Sequence, residues 1–313
     1  MGNFKKKFIR NTQIGNIIGT IYYWINIRMV PEKIYTIRRH KKRMGKSPNL
    51  QNPKTLNEKI VWLKLNDRTP LHTKCADKYA VREYVSEKIG EEYLVPLYYH
   101  TVESKNITPE NLPDTPSIIK TNHDSGGGIF VYDKSKVHWK EVQRNLKNRL
   151  KINYYWESKE WQYKNIKPRI IVEKLLLTKE NKVPFDYKMH CFNGKVITIQ
   201  VDMDRGTDNH YRNWYDTNWN REPFKWAFIK ENGKKTDPSD FDVEKPSTLE
   251  EMIRLSEKLA SPFCYARVDW YDVDGRLFFG EITFHHDGGN SPIEPEEWDV
   301  KLGEKLILEK LIS

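Results

Sequence analysis

The chain has 313 residues, 38% hydrophobic and 31% charged, so it is long enough for two or three subdomains around a core and has a polar surface. Lys and Arg total 53 against 43 Asp and Glu. The resulting net charge of +10 favours an anionic partner such as a nucleotide, an acidic glycan or a membrane surface. No zinc-finger, RNP or helix-turn-helix signature is present, which argues against nucleic acid. Three widely separated cysteines predict a reducing cytoplasm and no disulfide framework.

Residues 1–50 form a basic segment with isoleucines at helical spacing, which predicts an amphipathic helix. Asn16 and Thr20 interrupt the apolar run, so the segment is too broken to span a membrane. No small-residue cleavage site marks a signal peptide. Two alternatives stay open: the helix rests on an anionic inner leaflet, or it packs on the protein's own core. Residues 38–43 add a local cluster of cations.

Residues 51–115 predict a helical N-terminal subdomain. Thr55 and Glu58 form a capping-box pattern ahead of its first helix, and Asp77 is predicted to cap the second. A strand is predicted over residues 93–100. We interpret most of this subdomain as structural.

Residues 116–177 predict a small lid in the order strand, glycine loop, strand, helix, strand. Its predicted strands cover 117–120, 129–132 and 169–177, and its helix covers 137–165. Three consecutive glycines let backbone N–H groups approach a phosphate, while Ser125 adds a hydroxyl donor and Lys120 adds a cation. A hairpin tip without a ligand would also use glycine. Asp124, beside the loop, either faces outward or contacts an amine substrate.

Residues 178–313 predict a C-terminal α+β unit. An Asn-Gly turn at 193–194 joins two strands, and Thr248 with Glu251 forms a second capping box before a helix over 249–259.

Two charged pairs mark the strands of this C-terminal unit. Asp186 and Lys188 stand two apart, so they place a carboxylate and a cation on one strand face. Asp204 and Arg205 follow the next strand in the same manner. Each pair by itself is also an ordinary surface feature.

The most informative stretch, residues 266–284, is a predicted hairpin around an Asp-Gly turn. Four polar side chains interrupt its apolar alternation: Arg267, Asp269, Glu281 and Thr283. A two-residue turn would send the two carboxylates to opposite faces, whereas a three-residue loop over 273–275 with a G1 bulge places all four on one face. We predict the longer loop, because an arginine and two carboxylates on one face suit a magnesium–nucleotide site. The alternative is an exposed ladder of charges.

In this order the segments resemble the ATP-grasp superfamily, and specifically its TupA-like branch in cell-surface polysaccharide biosynthesis. The resemblance runs from about residue 53 to 303. It is carried by P-K-T-L-N-E-K-I-V-W-L-K-L (53–65), D-K-Y-A-V-R-E-Y-V (77–85), I-I-K-T-N-H-D-S-G-G-G (118–128), F-D-Y-K-M-H-C-F-N-G-K (185–195), D-R-G (204–206) and R-V-D-W-Y-D-V-D-G-R-L-F-F-G-E-I-T-F (267–284). It implies an α+β ATP-grasp fold with ATP and Mg²⁺ held between the lid and the C-terminal unit.

The resemblance also implies roles for individual residues. Phosphate binding would fall to Lys120, Ser125, Gly126, Gly127 and Gly128. Adenine would lie against Glu173, Lys174, Leu175 and Leu176, and the ribose-phosphate side against Asp186 and Lys188. Magnesium would be held by Asp269, Glu281 and Thr283. The catalytic cations would be Arg267, Arg205 and Lys188.

One departure from the family concerns the metal strand, where Thr283 replaces the Asn of the usual Glu-x-Asn. A hydroxyl is a weaker magnesium ligand than an amide oxygen. His285 and Asp287 are predicted to continue the same face and to compensate. The adjacent histidines 285 and 286 would alternatively suit a softer metal.

The resemblance implies an ATP-dependent carboxylate–amine ligase that acts through an acylphosphate. We expect it to join an amino acid or other amine to a uronic acid of a bacterial capsule or O-antigen-type polysaccharide, or of a lipid-linked or nucleotide-linked precursor. The aromatic run over 211–226 would stack on the glycan. Alternatives are a glycosyltransferase, suggested by Asp202-x-Asp204, and a non-catalytic glycan-binding protein.

Overall fold

The structure is a computed structural model that describes residue 25 and residues 27–204, 210–226 and 236–308. Arg205 and most of the predicted N-terminal amphipathic helix lie outside the described residues. The described helices are α1 (Glu32–Met44), α2 (Leu56–Asn66), α3 (Pro70–Ala76), α4 (Val81–Ile89), α5 (Trp139–Arg149), α6 (Tyr155–Ser158), α7 (Leu249–Ala260) and α8 (Glu297–Lys305). The described strands are β1 (Leu97–Thr101), β2 (Ser117–Thr121), β3 (Ile129–Val131), β4 (Ile170–Lys174), β5 (Asp186–Phe192), β6 (Lys195–Met203), β7 (Tyr211–Tyr215), β8 (Lys225–Trp226), β9 (Tyr265–Val273), β10 (Arg276–Thr283) and β11 (Ile293–Glu294).

The lid is a four-stranded antiparallel sheet in the order β1-β4-β2-β3. Ile119, Val172 and Leu146 of α5 are completely buried in its core. The predicted order of strand, glycine loop and strand is confirmed. The predicted long helix is wrong, because α5 ends at Arg149 and the short helix α6 ends at Ser158. The next residue, Lys159, has a left-handed backbone conformation. Strand β1 joins this sheet, while the division into residues 1–50, 51–115, 116–177 and 178–313 stays a prediction.

The second sheet has five antiparallel strands in the order β10-β9-β5-β6-β7. One face packs on α7, where Val268 and Trp270 of β9 meet Met252 and Leu259. The opposite face carries polar side chains, because residues alternate along each strand. The predicted Asn-Gly turn between β5 and β6 is confirmed by positive φ angles of 49° and 81°. Buried apolar area on one face therefore fixes which side chains line the other.

The β9–β10 hairpin reaches the predicted arrangement by a different route. Val273 pairs with Arg276, so the turn has two residues, Asp274 and Gly275, and the predicted three-residue loop is wrong. The register then shifts between Phe279 and Ile282, a β-bulge that restores the parity. The side chains of Phe279 and Ile282 thereby both stay on the core face of the sheet.

A glycine lies at this bulge. A Cβ on Gly280 would stand 3.1 Å from the carbonyl oxygen of Asp269, which explains why the bulge takes a residue without a side chain.

The two predicted capping boxes have different outcomes. Thr55 and Glu58 form the full reciprocal box at α2. Thr248 instead donates to Asp272 Oδ2 at 2.5 Å and makes no cap hydrogen bond, so that prediction is wrong. The strand pairing of Asp272 brings an acceptor within reach of this hydroxyl, and sequence spacing cannot reveal such a competitor.

The three cysteines are buried and form no disulfide: Cys75, Cys191 and Cys264. Among the described helices, none combines the length and the apolar character that crossing a bilayer requires.

Helix α2 buries the ammonium of Lys64, which is 1% exposed and lies 3.4 Å from the carbonyl oxygen of Gly288. Burial lowers the pKa of Lys64 from 10.5 to about 8. Below pH 8 the folded and unfolded chains both carry this proton, so the folded chain bears the full cost of burying the charge. Between pH 8 and 10.5 the folded chain binds fewer protons, and its stability therefore rises with pH.

We expect Lys64→Met to raise the free energy of unfolding at neutral pH by about 1–3 kcal/mol, because it removes a buried charge. The gain should shrink as the pH rises from 8 to 10.5. Urea unfolding across this pH range measures both effects, with the exposed Lys258→Met as the matched control. Parallel pH curves for the wild type and Lys64→Met would contradict the assignment.

Candidate active site

The polar face of the five-stranded sheet brings charged side chains from adjacent strands together. Lys188 of β5 pairs across the ladder with Asp269 of β9, and His190 pairs with Arg267. On the same face, nearer the β7 edge of the sheet, Asp202 of β6 pairs with Arg212 of β7. Partners in an antiparallel ladder project from the same face, so the register itself assembles this array.

Lys188 is the centre of the array. Its side chain is 3% exposed, and its ammonium lies 2.8 Å from Asp186, 3.2 Å from Asp269 and 3.7 Å from Asp202. The predicted placement of the Asp186–Lys188 pair on one strand face is confirmed. Burial disfavours the charge of Asp202, but Arg212, His210 and Lys188 outweigh it and hold its pKa well below the ordinary value. Asp202 is therefore ionised at neutral pH.

Arg267 links the two predicted metal carboxylates. It donates to both oxygens of Asp269 at 2.7 and 2.6 Å, and to Glu281 at 3.1 Å. Burial opposes the charge of Arg267, yet these carboxylates outweigh it and raise its pKa. The prediction that they share a face is confirmed, and Thr283 joins them with its hydroxyl 3.4 Å from Glu281 Oε1. The alternative of an exposed ladder of charges is excluded, because Arg267 and Asp269 are buried.

His286 holds the far side of the Arg267 guanidinium. Its Nδ1 accepts from Arg267 Nη1 at 2.9 Å. Since an arginine can only donate, the imidazole proton must lie on Nε2. Burial first, and then the charge of Arg267, lower the pKa of His286 well below its ordinary value. Its ring lies edge-on to Trp226 at 4.3 Å and to His190 at 4.9 Å, so the imidazole cannot swing away.

This assignment corrects the prediction for His285 and Asp287. Strand β10 ends at Thr283, and Asp287 has a left-handed φ of 48°, so the alternation does not continue. His285 accepts instead from Gln162 at 3.2 Å, and Asp287 accepts from the hydroxyl of Ser291 at 2.8 Å. The residue that faces the site is therefore the second histidine of the pair.

The donor set fits a hard cation completed by phosphate oxygens. Glu281 is 42% exposed in its side chain and opens to the surface, while Asp269 lies behind it at 3%. Within the described chain, four carboxylates on this face exceed its three cations: Asp186, Asp202, Asp269 and Glu281 against Lys188, Arg212 and Arg267. No three His, Cys, Asp or Glu side chains of the described residues converge on one point, as a softer metal site would require.

The side chains of Asp124 and Arg149 hold the glycine loop in position. Asp124 Oδ2 accepts from Arg149 at 2.7 and 3.0 Å, and from Thr121 at 2.6 Å. Asp124 therefore organises the loop through Oδ2 and does not face outward. Its contact with an amine substrate stays a prediction. Gly126 and Gly127 have φ angles of 74° and 72°, which side chains rarely adopt. The three glycines and Ser125 leave a tip of bare backbone, as a phosphate cradle requires.

The predicted adenine strand already uses part of its polar capacity. Glu173 pairs with Lys120 at 3.1 Å and with Arg82 at 3.2 Å. The N–H groups of Lys174 and Leu175 donate to the carbonyls of Pro96 and Pro116. Among the described residues, no acceptor takes the N–H of Leu176. That group is the donor this strand can offer to a base edge, while Leu175 and Leu176 are buried beside it.

Three further side chains that the sequence did not assign to the nucleotide site lie beside it: Lys78, Tyr154 and Tyr163. Lys78 donates to the backbone carbonyl of Asp124, and the nearby charges of Glu281 and Asp124 partly offset the lowering of its pKa by burial. Lys78 therefore holds the glycine loop directly and brings a positive charge near Glu281 of the metal strand. It lies within the stretch 77–85 that carries the family resemblance, which is the signal that could have identified it.

The two tyrosines form a wall between the loop and the metal strand. Tyr154 lies beside Ser125, and its ring meets that of Tyr163 edge-on at 5.0 Å. Burial, then Glu160 and Glu281, raise the pKa of Tyr163 well above its ordinary value. Both phenols are therefore protonated and can donate hydrogen bonds at neutral pH.

The aromatic run over 211–226 is not a stacking surface. Trp214, Tyr215 and Trp226 are at most 1% exposed, and the Tyr215 ring stacks on Trp219 at 4.4 Å. Trp214 and Trp226 pack against the buried His190. The prediction that the aromatic run stacks on a glycan is therefore wrong.

We expect His286→Leu to lower nucleotide-dependent turnover about 10–100-fold, because it removes a neutral acceptor from a charged donor. His286→Asn keeps an acceptor near the Nδ1 position and should recover much of the loss. Steady-state rates and melting temperatures of both variants test this. Equal loss of turnover in both variants, in step with their loss of stability, would show a packing role only.

Comparison with known proteins gives one family and several distant folds. The TupA-like ATPgrasp family matches residues 58–307. No curated protein matches the chain significantly. The chain is similar to D-alanine–D-alanine ligase from Bacillus anthracis, with 18% identity, TM-score 0.42, and coverage of 76% of this chain and 69% of that one.

Two further solved structures are similar. For L-amino acid ligase from Bacillus licheniformis the values are 12% identity, TM-score 0.45, and 83% and 57% coverage. For the ATP-grasp ligase PsnB complexed with minimal precursor, Mg and ADP they are 10% identity, TM-score 0.37, and 74% and 58% coverage. The chain spans less than two thirds of these last two structures. The family match covers most of the chain and carries the assignment: the chain belongs to the TupA-like ATP-grasp family.

Proposed function

We propose that this protein is an ATP- and Mg²⁺-dependent carboxylate–amine ligase that joins an amine or amino acid to the carboxylate of a uronic acid in a bacterial surface polysaccharide or its precursor. The observation that carries the site is the buried array of Arg267, Asp269 and Lys188, which Lys78 links to the glycine loop. Such an array supports the proposal, because phosphoryl transfer between the lid and the sheet would be catalysed by fixed, pre-oriented charges.

The residues of the chain divide the work of holding the nucleotide. The glycine loop, with Lys120 and Lys78 beside it, surrounds the phosphates with donors and positive charge. The Leu176 N–H is available to the adenine edge, and Asp186 with Lys188 lies towards the ribose-phosphate side. Mg²⁺, when bound by Asp269 and Glu281, supplies further neutralisation of phosphate charge.

In the first chemical step the substrate carboxylate attacks the γ-phosphorus, the bond to the β-phosphate oxygen breaks, and ADP leaves. In the second step the amine attacks the acylphosphate carbon, the C–O bond breaks, phosphate leaves, and the amine nitrogen loses a proton. Both steps build negative charge on oxygen. Arg267 is held rigidly by Asp269 and His286, so it can stabilise that charge without reorganising.

The choice of substrate rests on charge and on the family. A net charge of +10 suits an anionic polymer, and a uronic acid supplies the carboxylate that the chemistry consumes. The neutral phenols of Tyr154 and Tyr163 border the space beside Glu281 and offer donors to sugar hydroxyls or to the carboxylate. A cytoplasmic protein working on lipid-linked or nucleotide-linked precursors is part of the same proposal.

We expect Glu281→Gln to reduce ATP-dependent turnover by at least about 100-fold, because it removes a charged ligand from the metal position while exposed enough to leave folding intact. Asp269→Asn should be as inactive and less stable, because Arg267 and Lys188 then lose a buried partner. Phosphate release and melting temperature measure these effects, with the exposed Glu304→Gln as a matched control. Full activity in Glu281→Gln would refute the metal assignment.

The substrate proposal is tested by amide formation, followed by mass spectrometry across panels of uronic acids and amines. ATP with Mg²⁺ is expected to raise the melting temperature, since a ligand bound by the folded state stabilises it. Stabilisation by a UDP-sugar and not by ATP would support the glycosyltransferase alternative. ATP-dependent amide formation with other carboxylates, but with no uronic acid, would support the proposed ligase activity and refute the proposed uronic acid substrate.

A further inference from the structure

Helix α1 is attached to the catalytic region by its inner face. His40 is buried, and its Nδ1 lies 2.8 Å from the carbonyl oxygen of Gly289, in the loop that follows the metal strand. Tyr35 and Arg39 donate to the backbone carbonyl of Glu157 at 3.1 and 2.8 Å. Because His286 belongs to the same loop, the orientation of α1 is fixed relative to Arg267.

The outer face of α1 is cationic and unpaired. Five basic side chains of α1 are exposed, and none of them forms an ion pair within the described part of the chain: Lys33, Arg38, Lys41, Lys42 and Arg43. Of these, Arg38, Lys41 and Lys42 lie on the outer face, opposite the side that buries Thr36 and His40. Glu32 is the acidic residue of α1, and it pairs with Arg68 at 2.7 Å. The positive charge of this face is therefore not compensated by the helix that carries it.

Apolar side chains accompany these cations. Ile34, Arg38, Lys41 and Lys42 stand at positions i, i+4, i+7 and i+8, so they share one side of the helix. Ile34 is 43% exposed, and Met29, just before the helix, is 75% exposed. A surface that combines several free cations with exposed aliphatic side chains matches the boundary between lipid headgroups and acyl chains.

We propose that the outer face of α1 docks on an anionic phospholipid surface. Its cations would lie among the headgroup phosphates, with Ile34 and Met29 dipping below them. A nucleic acid or a soluble polyanion would satisfy the charges but would leave these two side chains in water, which is why a lipid surface fits better. Docking does not require the ligase reaction.

One consequence does rest on the proposed function. Because His40 ties α1 to the loop that holds His286, docking would hold the active site close to the membrane plane. A carboxylate substrate carried on a lipid would then be presented to the site at high local concentration. This singles out the lipid-linked precursor among the forms that the substrate could take.

The test is flotation of the full-length protein with vesicles of phosphatidylcholine alone or with about one third phosphatidylglycerol. Wild type is expected to bind the anionic vesicles and to be released by high salt, since surface cations act within a Debye length. Each Lys or Arg near such a surface strengthens binding about fivefold, so the triple variant Arg38→Gln, Lys41→Gln, Lys42→Gln should bind roughly 100-fold more weakly.

A matched control removes three positive charges from a different helix. Lys140, Arg144 and Lys147 are exposed on one side of α5, at positions i, i+4 and i+7. Their triple substitution by Gln should leave vesicle binding within about threefold of wild type. Unchanged melting temperature and ATP-dependent activity on a soluble substrate separate a docking defect from a folding or catalytic one.

Several results would overturn the proposal. Wild-type binding to neither vesicle, or equally to both, would do so, as would wild-type affinity in the α1 triple variant. An equal loss in the α5 triple variant would show a net-charge effect only. Tighter binding to a nucleic acid duplex than to the anionic vesicles would assign this face to a different polyanion. Failure of amide formation would leave the vesicle result intact and would refute only the proposed substrate.

Discussion

Buried ion pairs on the polar face of the five-stranded sheet are the constraint on which the rest of the structure depends. Each of these ions would cost several kcal/mol to bury alone, so each must keep its partner. Lys188 is shared between Asp186 and Asp269, and Arg267 between Asp269 and Glu281. A slip of one residue in β5, β9 or β10 would leave charges unpaired and would also turn the apolar residues away from α7. The electrostatic array and the hydrophobic core therefore enforce the same register.

The bulge at Gly280 shows how the chain satisfies both demands. A two-residue turn alone would put Glu281 on the apolar face and Ile282 on the polar one. One extra residue in β10 reverses that parity beyond the bulge while Phe279 stays in the core. The close approach to the carbonyl oxygen of Asp269 then restricts the position to glycine. A rigid, charged face of this kind suits phosphoryl transfer, because its dipoles and charges are already oriented when the nucleotide arrives.

The second layer of the site is made by contacts distant in sequence. His286 fixes Arg267 as a neutral acceptor, and an aromatic enclosure of Trp214, Trp226 and His190 fixes His286 in turn. The buried members of the aromatic run therefore position His286 and do not form a surface for a glycan. Similarly, Asp124 acts through Arg149 and Thr121 to shape the glycine loop. These residues look functional in the sequence, but their partners decide which function they have.

The sequence by itself determined the family, the order of strands around the glycine loop, the capping box at Thr55 and the polar residues of the β9–β10 hairpin. These follow from local periodicity, local hydrogen bonding and motif spacing, which need no distant partner. The tertiary structure alone decided where the hairpin gains its extra residue, which histidine faces Arg267, that Thr248 bonds Asp272, and that Lys78 holds the glycine loop. Each of these depends on a neighbour that is remote in sequence and on how much water that neighbour excludes. Burial and cross-strand register set those conditions, and neither is written in any single segment of the chain.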